Sequence, residues 1–321
     1  MTYLVVGDLH CRLQYLEDFK LMASRIVQVA KSKRPDFIVL LGDLLHEHAR
    51  IHTATFNAVA AFVAELKKET GVAIYILIGN HDYVNASQFL TTEHPFNVLK
   101  SIGGVYVIDT PQAIPGGIVM SPYTPPGRFV EALDSCVPDW KDAKVVFGHQ
   151  EIRGCSTGAI QSAHGDVWSP EWPMLISGHI HGRQKLGSNV HYIGAPSQFT
   201  FADDPDKTIS MFDDNWVETR VDLALKKKVS IEVEACKFAD VAIPPTCHVR
   251  LEVIGTTQEF AAIRKSALYN QLTSLGVKVI PRTVDVVAPK VVRNISYFDS
   301  LKERVSGESE KTRLVFQALF G

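Results

Sequence analysis

Hydrophobic positions in the first hundred residues switch between two periods. Tyr3–Gly7 (YLVVG), Phe37–Leu41 (FIVLL) and Ile74–Ile78 (IYILI) are short unbroken apolar runs, which predict buried strands. Between the first two, Leu13, Leu16, Phe19, Met22, Ile26 and Val29 recur at helical spacing. Between the second and third, Phe56, Val59, Phe62, Val63 and Leu66 do the same within residues 53–68. Strand, helix, strand, helix, strand predicts a parallel sheet covered by helices. Each strand ends in glycine followed by polar residues: Gly7-Asp8, Gly42-Asp43, and Gly79-Asn80-His81-Asp82. The carboxyl ends of parallel strands are where open α/β sheets place their ligands.

Beyond residue 100 the apolar runs shorten to Val105–Ile108, Gly117–Met120, Lys144–Phe147, Met174–Ile176, Val190–Ile193 and Ile209–Phe212. They predict a second sheet or an extension of the first. Two of them again lead into Gly-His, at Gly148-His149 and at Gly178-His179-Ile180-His181. Lys226-Lys227-Lys228 marks a boundary, giving a first domain of residues 1–228. Strands at Val229–Val233, His248–Ile254 and Val277–Ile280, with one helix over Gln258–Leu275, predict a small α/β module over 229–290. In residues 291–321, apolar clusters on either side of Ser306–Glu310 predict two short helices.

Of 321 residues, 46% are hydrophobic and 21% charged, enough for a large domain plus a smaller one. The formal net charge of −2 carries no whole-chain basic signature, so any nucleic-acid contact rests on local patches. Residues 226–321 hold 15 Lys and Arg against 10 Asp and Glu, leaving 18 against 25 for residues 1–225. An acidic front suits a cation site and a basic tail suits a module facing a polyanion; the plainer alternative is an unevenly charged solvated surface. The five cysteines are scattered and contain no CxxC pair, which argues against a disulfide framework or a thiolate zinc site. No apolar run reaches the ~20 residues needed to cross a bilayer, and the opening residues lack a leader pattern. The expected location is cytoplasmic, or nuclear, or the host cytoplasm for a viral chain, without membrane association.

The polar residues at the strand ends are Asp8, His10, Asp43, Asn80, His149, His179 and His181. A carboxylate, imidazole and amide set without thiolate suits Mn, Fe or Zn, and is too nitrogen-rich for calcium or a dedicated magnesium cage. A carboxylate can bridge two cations, and Asp43, from the middle of the set, is the natural bridge. Two metals about 3.5–4 Å apart can clamp a phosphate and activate water for in-line attack. Asp-Leu-His, Gly-Asp and Gly-His alone are common loop sequences, whereas Gly-Asn-His-Asp after a buried strand is far rarer and favours chemistry; five clusters in order, each at a strand end, form a pattern.

The series GDLH (7–10), GDLLH (42–46), GNHD (79–82), GH (148–149) and GHIH (178–181) resembles the calcineurin-like metallophosphoesterase superfamily over roughly residues 1–200. The resemblance implies a four-layer α/β/β/α sandwich with two divalent metals, Mn2+ being the expected ion. It implies that Asp8, His10, Asp43 and His181 hold one metal, and Asp43, Asn80, His149 and His179 the other. His81 would then assist the leaving group, oriented by Asp82; an imidazole paired with a carboxylate keeps one tautomer and can donate a proton.

Serine/threonine phosphatases of the superfamily carry Asp-Arg-Gly after the second motif and Glu after Gly-Asn-His, and this chain carries neither. GDLLH with His46 is similar instead to the SbcD-type nucleases of repair and recombination, in which a histidine here helps place DNA. A zinc-protease HExxH reading of His46 fails because Arg50 stands at the second histidine's place. Tyr192–Gln198 (YIGAPSQ) is similar to the turn that follows GHIH in those nucleases, and Gly148-His149-Gln150-Glu151 to their compact phage members.

By the same resemblance, residues 229–290 form a capping domain that borders DNA, where Arg250, Arg264, Lys265, Lys278, Arg282, Lys290 and Arg293 could meet phosphates. Residues 291–321 would dock on a coiled-coil ATPase subunit of the SbcC type, the chain having no phosphate loop of its own. A homodimer is compatible with this scheme. The resemblance implies an exo- and endonuclease; the rival expectation is a small-molecule or nucleotide phosphodiesterase.

Overall fold

The computed structural model describes residues 1–158 and 160–284, together with Val305. It separates into two compact units, Met1–Ser230 with Ile243–Arg250, and Ile231–Ala242 with the described residues from Leu251 onward. The lysine run at 226–228, read above as a boundary, leads into a strand, and the division follows Ser230.

In the first unit, β1 (Tyr3–Val6), β2 (Phe37–Leu40), β3 (Ala73–Leu77) and β4 (Val105–Ile108) pair in parallel. Helices α1 (Leu16–Lys33) and α2 (Thr53–Thr70) make the first two crossovers. β13 (Ile209–Phe212) and β14 (Glu218–Val221) extend the sheet antiparallel beyond β1. α1 carries Glu17 and Asp18 in its first turn and Lys31 and Lys33 in its last, which complements the helix dipole. α2 closes on Gly71 at φ 71°, whose N–H bonds to the Lys67 carbonyl, an ending that glycine adopts without a Cβ penalty.

The second sheet comprises β5 (Gln112–Ile114), β6 (Ile118–Met120), β7 (Val145–Gly148), β10 (Met174–Ser177), β11 (Gln184–Leu186) and β12 (Val190–Tyr192). Its order is β11-β12-β10-β7-β6-β5, parallel in the middle and antiparallel at both edges. A small hairpin, β8 (Ser156–Thr157) with β9 (Ile160–Gln161), and helix α3 (Phe129–Cys136) complete the unit.

Alternation along each strand sorts its side chains between two cores. Leu4, Val6, Ile38, Leu40, Ile74 and Ile76 pack with Ile26, Val59, Phe62 and Leu66 of the helices. Tyr3, Val5, Val39, Leu41 and Leu77 form a second core with Met120, Val145, Phe147 and Ile176 of the other sheet. On the far face, Val119, Val146, Leu175 and Tyr192 cluster with Phe129 and Leu133 of α3 and with Trp140 and Trp168. Strands covered on both faces read as unbroken apolar runs, and the layers stack as helix, sheet, sheet, helix.

A third sheet, ordered β15-β16-β17, consists of β15 (Lys227–Glu234), β16 (Cys247–Gly255) and β17 (Lys278–Thr283). The single helix expected over Gln258–Leu275 is two, α4 (Thr257–Ile263) and α5 (Ala267–Ser274). Ser266 accepts the Tyr269 N–H and caps a new helix, so it interrupts the apolar period rather than continuing it. Lys290, Arg293 and the two helices expected within 291–321 lie outside the described residues, apart from Val305 in a helical turn.

Candidate metal centre

Every expected donor sits just past a strand's carboxyl end. Asp8 and His10 follow β1, Asp43 follows β2 and Asn80 follows β3; His149 follows β7, and His179 and His181 follow β10. Backbone bonds lace these loops together. Leu9 and His10 donate their N–H groups to the Asp43 carbonyl at 3.2 and 2.8 Å, and Gly178 donates to Gly148 at 3.0 Å. The glycine before a donor is there for lack of room. A Cβ on Gly178 would fall 2.6 Å from Asp8 Oδ1 and 2.9 Å from His149 Nδ1, and one on Gly42 2.7 Å from His149 Nδ1. His10, Asp43 and His179 adopt φ of 43°, 51° and 74°. Left-handed backbone costs a non-glycine residue on the order of 1–3 kcal/mol, and such strain gathers at functional sites.

Among the described residues three groups of donor atoms converge: Asp8 with His10 and His181, Asp43 with His149 and His179, and His10 with His46 and His81; the first two are made of expected donors. Asn80 joins the second, its Oδ1 lying 3.1 Å from His149 Nε2 and 2.8 Å from His179 Nδ1. In the first, His10 Nε2 lies 3.0 Å from His181 Nε2. Asp43 Oδ2 lies 3.4 Å from His10 Nε2 and 3.3 Å from His149 Nε2, so one carboxylate oxygen is common to both groups. The two aspartates are built alike. Asp8 Oδ1 accepts the His179 N–H at 3.1 Å and Asp43 Oδ1 the His81 N–H at 2.8 Å. Asp8 Oδ2 is buried without any hydrogen-bond partner.

This arrangement fits divalent cations. His149 Nδ1–H donates to the Leu41 carbonyl at 2.7 Å, which turns Nε2 towards Asn80 Oδ1 and Asp43 Oδ2, both acceptors. Facing acceptors in a buried place call for a positive charge between them. Burial opposes charge on His149, yet Asp43 and Asp8 push its pKa up to about 9, so without a cation the ring carries a proton on Nε2, which a metal ion would displace. Burial likewise opposes ionisation of Asp43, yet His149 and His10 hold its carboxyl far below the usual range. His10 and His181 are neutral: burial takes His10 well below its ordinary pKa, and lowers that of His181, despite the nearby carboxylates. Neutral imidazoles and ionised carboxylates are the forms that bind a metal.

His46, His48 and His81 lie beside the donors. His46 Nδ1 is 3.3 Å from His10 Nδ1, and an Nδ1–H on His10 donated to it leaves His10 Nε2 bare for the donor group. Burial, with Arg12 and His81, takes the His46 pKa down to about 4, so the ring is a neutral acceptor at pH 7. Support of the His10 tautomer has no sign in the sequence, because spacing does not reveal which imidazole contacts which.

His81 and Asp82 require a correction. His81 Nδ1–H donates to the His46 carbonyl at 2.6 Å, so a backbone oxygen, and not Asp82, sets its tautomer. The Asp82 carboxylate accepts the N–H groups of Gly79 and Leu45 at 3.0 and 3.1 Å and thereby ties two motif loops together. His48 stacks on His81 with centroids 4.3 Å apart.

The family model described as calcineurin-like phosphoesterase matches residues 1–183. "Putative phosphoesterase 078R" of Invertebrate iridescent virus 3 is 33% identical over 95% of this chain and 92% of its own length. "Putative phosphoesterase 244L" of Invertebrate iridescent virus 6 is 34% identical over 82% of this chain and 97% of its own. Among solved structures, TT1561 of Thermus thermophilus aligns with 69% of this chain and 98% of its own, at a TM-score of 0.44 and 14% identity.

Proposed function

The chain belongs to the calcineurin-like phosphoesterase family of metal-dependent phosphoester hydrolases, and from that premise we propose that it is a two-metal DNA nuclease. In this reading Asp8, His10, Asp43 and His181 hold one Mn2+, and Asp43, Asn80, His149 and His179 the other. The ions, when bound, polarise the phosphate and ease deprotonation of the attacking water. His81 would act in its protonated form: with Nδ1–H held by the His46 carbonyl, it would deliver its Nε2 proton to the leaving oxygen and be left neutral, the state that burial favours.

The observation that carries the DNA reading is the row of imidazoles beyond the donor set. His46 and His81 are stacked, with centroids 5.3 Å apart and planes 11° from parallel, and His48 is stacked on His81. These rings supply contacts for the sugar-phosphate on either side of a scissile bond, which a small monoester does not need. A role in repair or recombination with an SbcC-type ATPase subunit belongs to the same proposal.

The deciding experiment incubates the purified chain and Mn2+ with labelled single- and double-stranded DNA, beside bis-p-nitrophenyl phosphate and cyclic nucleotides. DNA cleavage from ends and within circles is expected. Hydrolysis of the small esters alone, with the ATPase present as well as without it, would transfer the chain to the small-molecule phosphodiesterases.

A further inference from the structure

Beside the donor groups lies a cleft lined wholly by residues of the first unit. Leu9, Phe19 and Met22 give it an apolar floor, and His10 stands at one end, so cleft and metal centre share a wall. Phe199 is the partition: its ring meets His10 edge-on at 4.8 Å and His181 at 4.6 Å. The cleft's volume of about 60 Å³ is room for roughly four to six waters at 10–15 Å³ each, the scale of a phosphate group.

The lining is cationic. The Arg12 guanidinium lies 5.2 Å from the Phe199 centroid. The Lys228 ammonium lies 4.7 Å from that of Tyr15 and donates to the Gln198 carbonyl at 2.8 Å. Lys226 completes the set on the surface. Among the described residues no carboxylate forms an ion pair with Arg12, although Glu47 and Asp203 act on its charge from farther off, and its Nε is buried without a hydrogen-bond partner. The one acidic residue of the lining, Asp18, is engaged by His248 at 3.1 Å. A half-buried guanidinium placed by ring stacking, with its donors undirected, is poised for an anion from outside the chain.

We infer that this cleft is a second phosphate subsite, in which Arg12 and Lys228, with Lys226 at the rim, hold the phosphate next to the one being hydrolysed. In a polynucleotide that is the neighbouring diester, and to this extent the inference rests on the nuclease reading. The outer phosphate of a nucleoside diphosphate has the same chemistry, and the test separates the two.

Kinetics of the Mn2+-loaded full chain are compared on bis-p-nitrophenyl phosphate, which has one phosphate, on a thymidine decanucleotide and on thymidine 5′-diphosphate. Arg12→Gln is expected to lower kcat/KM for a multi-phosphate substrate at least tenfold more than for bis-p-nitrophenyl phosphate, chiefly through KM. Arg12→Lys should recover part of the loss. Lys226→Glu, at an exposed position, should give a smaller loss of the same kind and decides the matter if Arg12→Gln does not fold. A differential loss on the decanucleotide supports both the subsite and the nuclease reading. If the decanucleotide is not cleaved and only the diphosphate shows the loss, the subsite stands and the nuclease reading falls. Equal losses on all substrates, or no turnover of either multi-phosphate substrate by the unaltered chain, would overturn the subsite.

Discussion

Asp8 and Asp43 each commit one carboxylate oxygen to a backbone N–H and present the other to imidazole nitrogens. His81 stands outside this division: its Nδ1 is engaged by the His46 carbonyl, and among the described residues neither aspartate pairs with its ring, as both do with the imidazoles of the donor groups. His81→Ala should therefore leave the donors in place and remove only proton transfer. Turnover should fall by roughly two to four orders of magnitude, the usual worth of a general acid or base. Metal content by atomic emission should stay near two per chain. A variant that loses its metal would make His81 a ligand and overturn the assignment.

At the scale of elements, the loops past the strands are held by particular clamps, and the one after β4 can be tested away from the metal. Asp109 Oδ2 accepts from His94 Nε2 at 3.2 Å and from Lys100 Nζ at 2.6 Å, fastening the segment Pro95–Ser101 to the strand end. Burial opposes its ionisation, but the bonds from His94 and Lys100 hold its carboxyl below the usual range. A lowered carboxyl pKa stabilises the fold above the unfolded value near 4, and the contribution is lost as pH falls through the folded value. Asp109→Asn should cost about 1–3 kcal/mol at pH 7, the range for bonds to a charged group, with the part-exposed Lys100 contributing the lesser share. Urea melts should show the gap shrinking below pH 4; a gap that persists at pH 3 would mean that charge has no part in it.

The same scale explains what the sequence disclosed. β1, β2 and β3 were legible because two-sided burial leaves unbroken apolar runs. β11 (QKL) and β14 (ETRV) are short polar edge strands and carry no such signal. The convergence of the expected donor residues was legible because strand ends locate them. The Asp82 contacts were not, since a side chain that reaches back to Leu45 N–H leaves no trace in local spacing.

At the scale of the whole molecule, the centre joins loops from two different sheets, and its donors span Asp8 to His181. An unfolded chain cannot bring such distant residues together, so metal binds the folded form and stabilises it by mass action. The buried, partnerless Asp8 Oδ2 and the mutually facing acceptors around His149 mark where that stabilisation acts. At a free ion concentration 100 times Kd, one site contributes about 2.7 kcal/mol. With roughly 2–4 °C per kcal/mol for a domain of this size, chelation should lower the Tm by roughly 5–10 °C per site. Calorimetry with EDTA, followed by Mn2+ in excess, should show the Tm fall and return. The Asp8→Asn variant, which replaces the bare oxygen or its partner with an amide, should start lower and respond less to both treatments. An unaltered Tm on chelation, in protein shown by atomic emission to have held metal beforehand, would mean that the motif loops are set by their glycines and backbone bonds alone, with the ions adding chemistry but no stability.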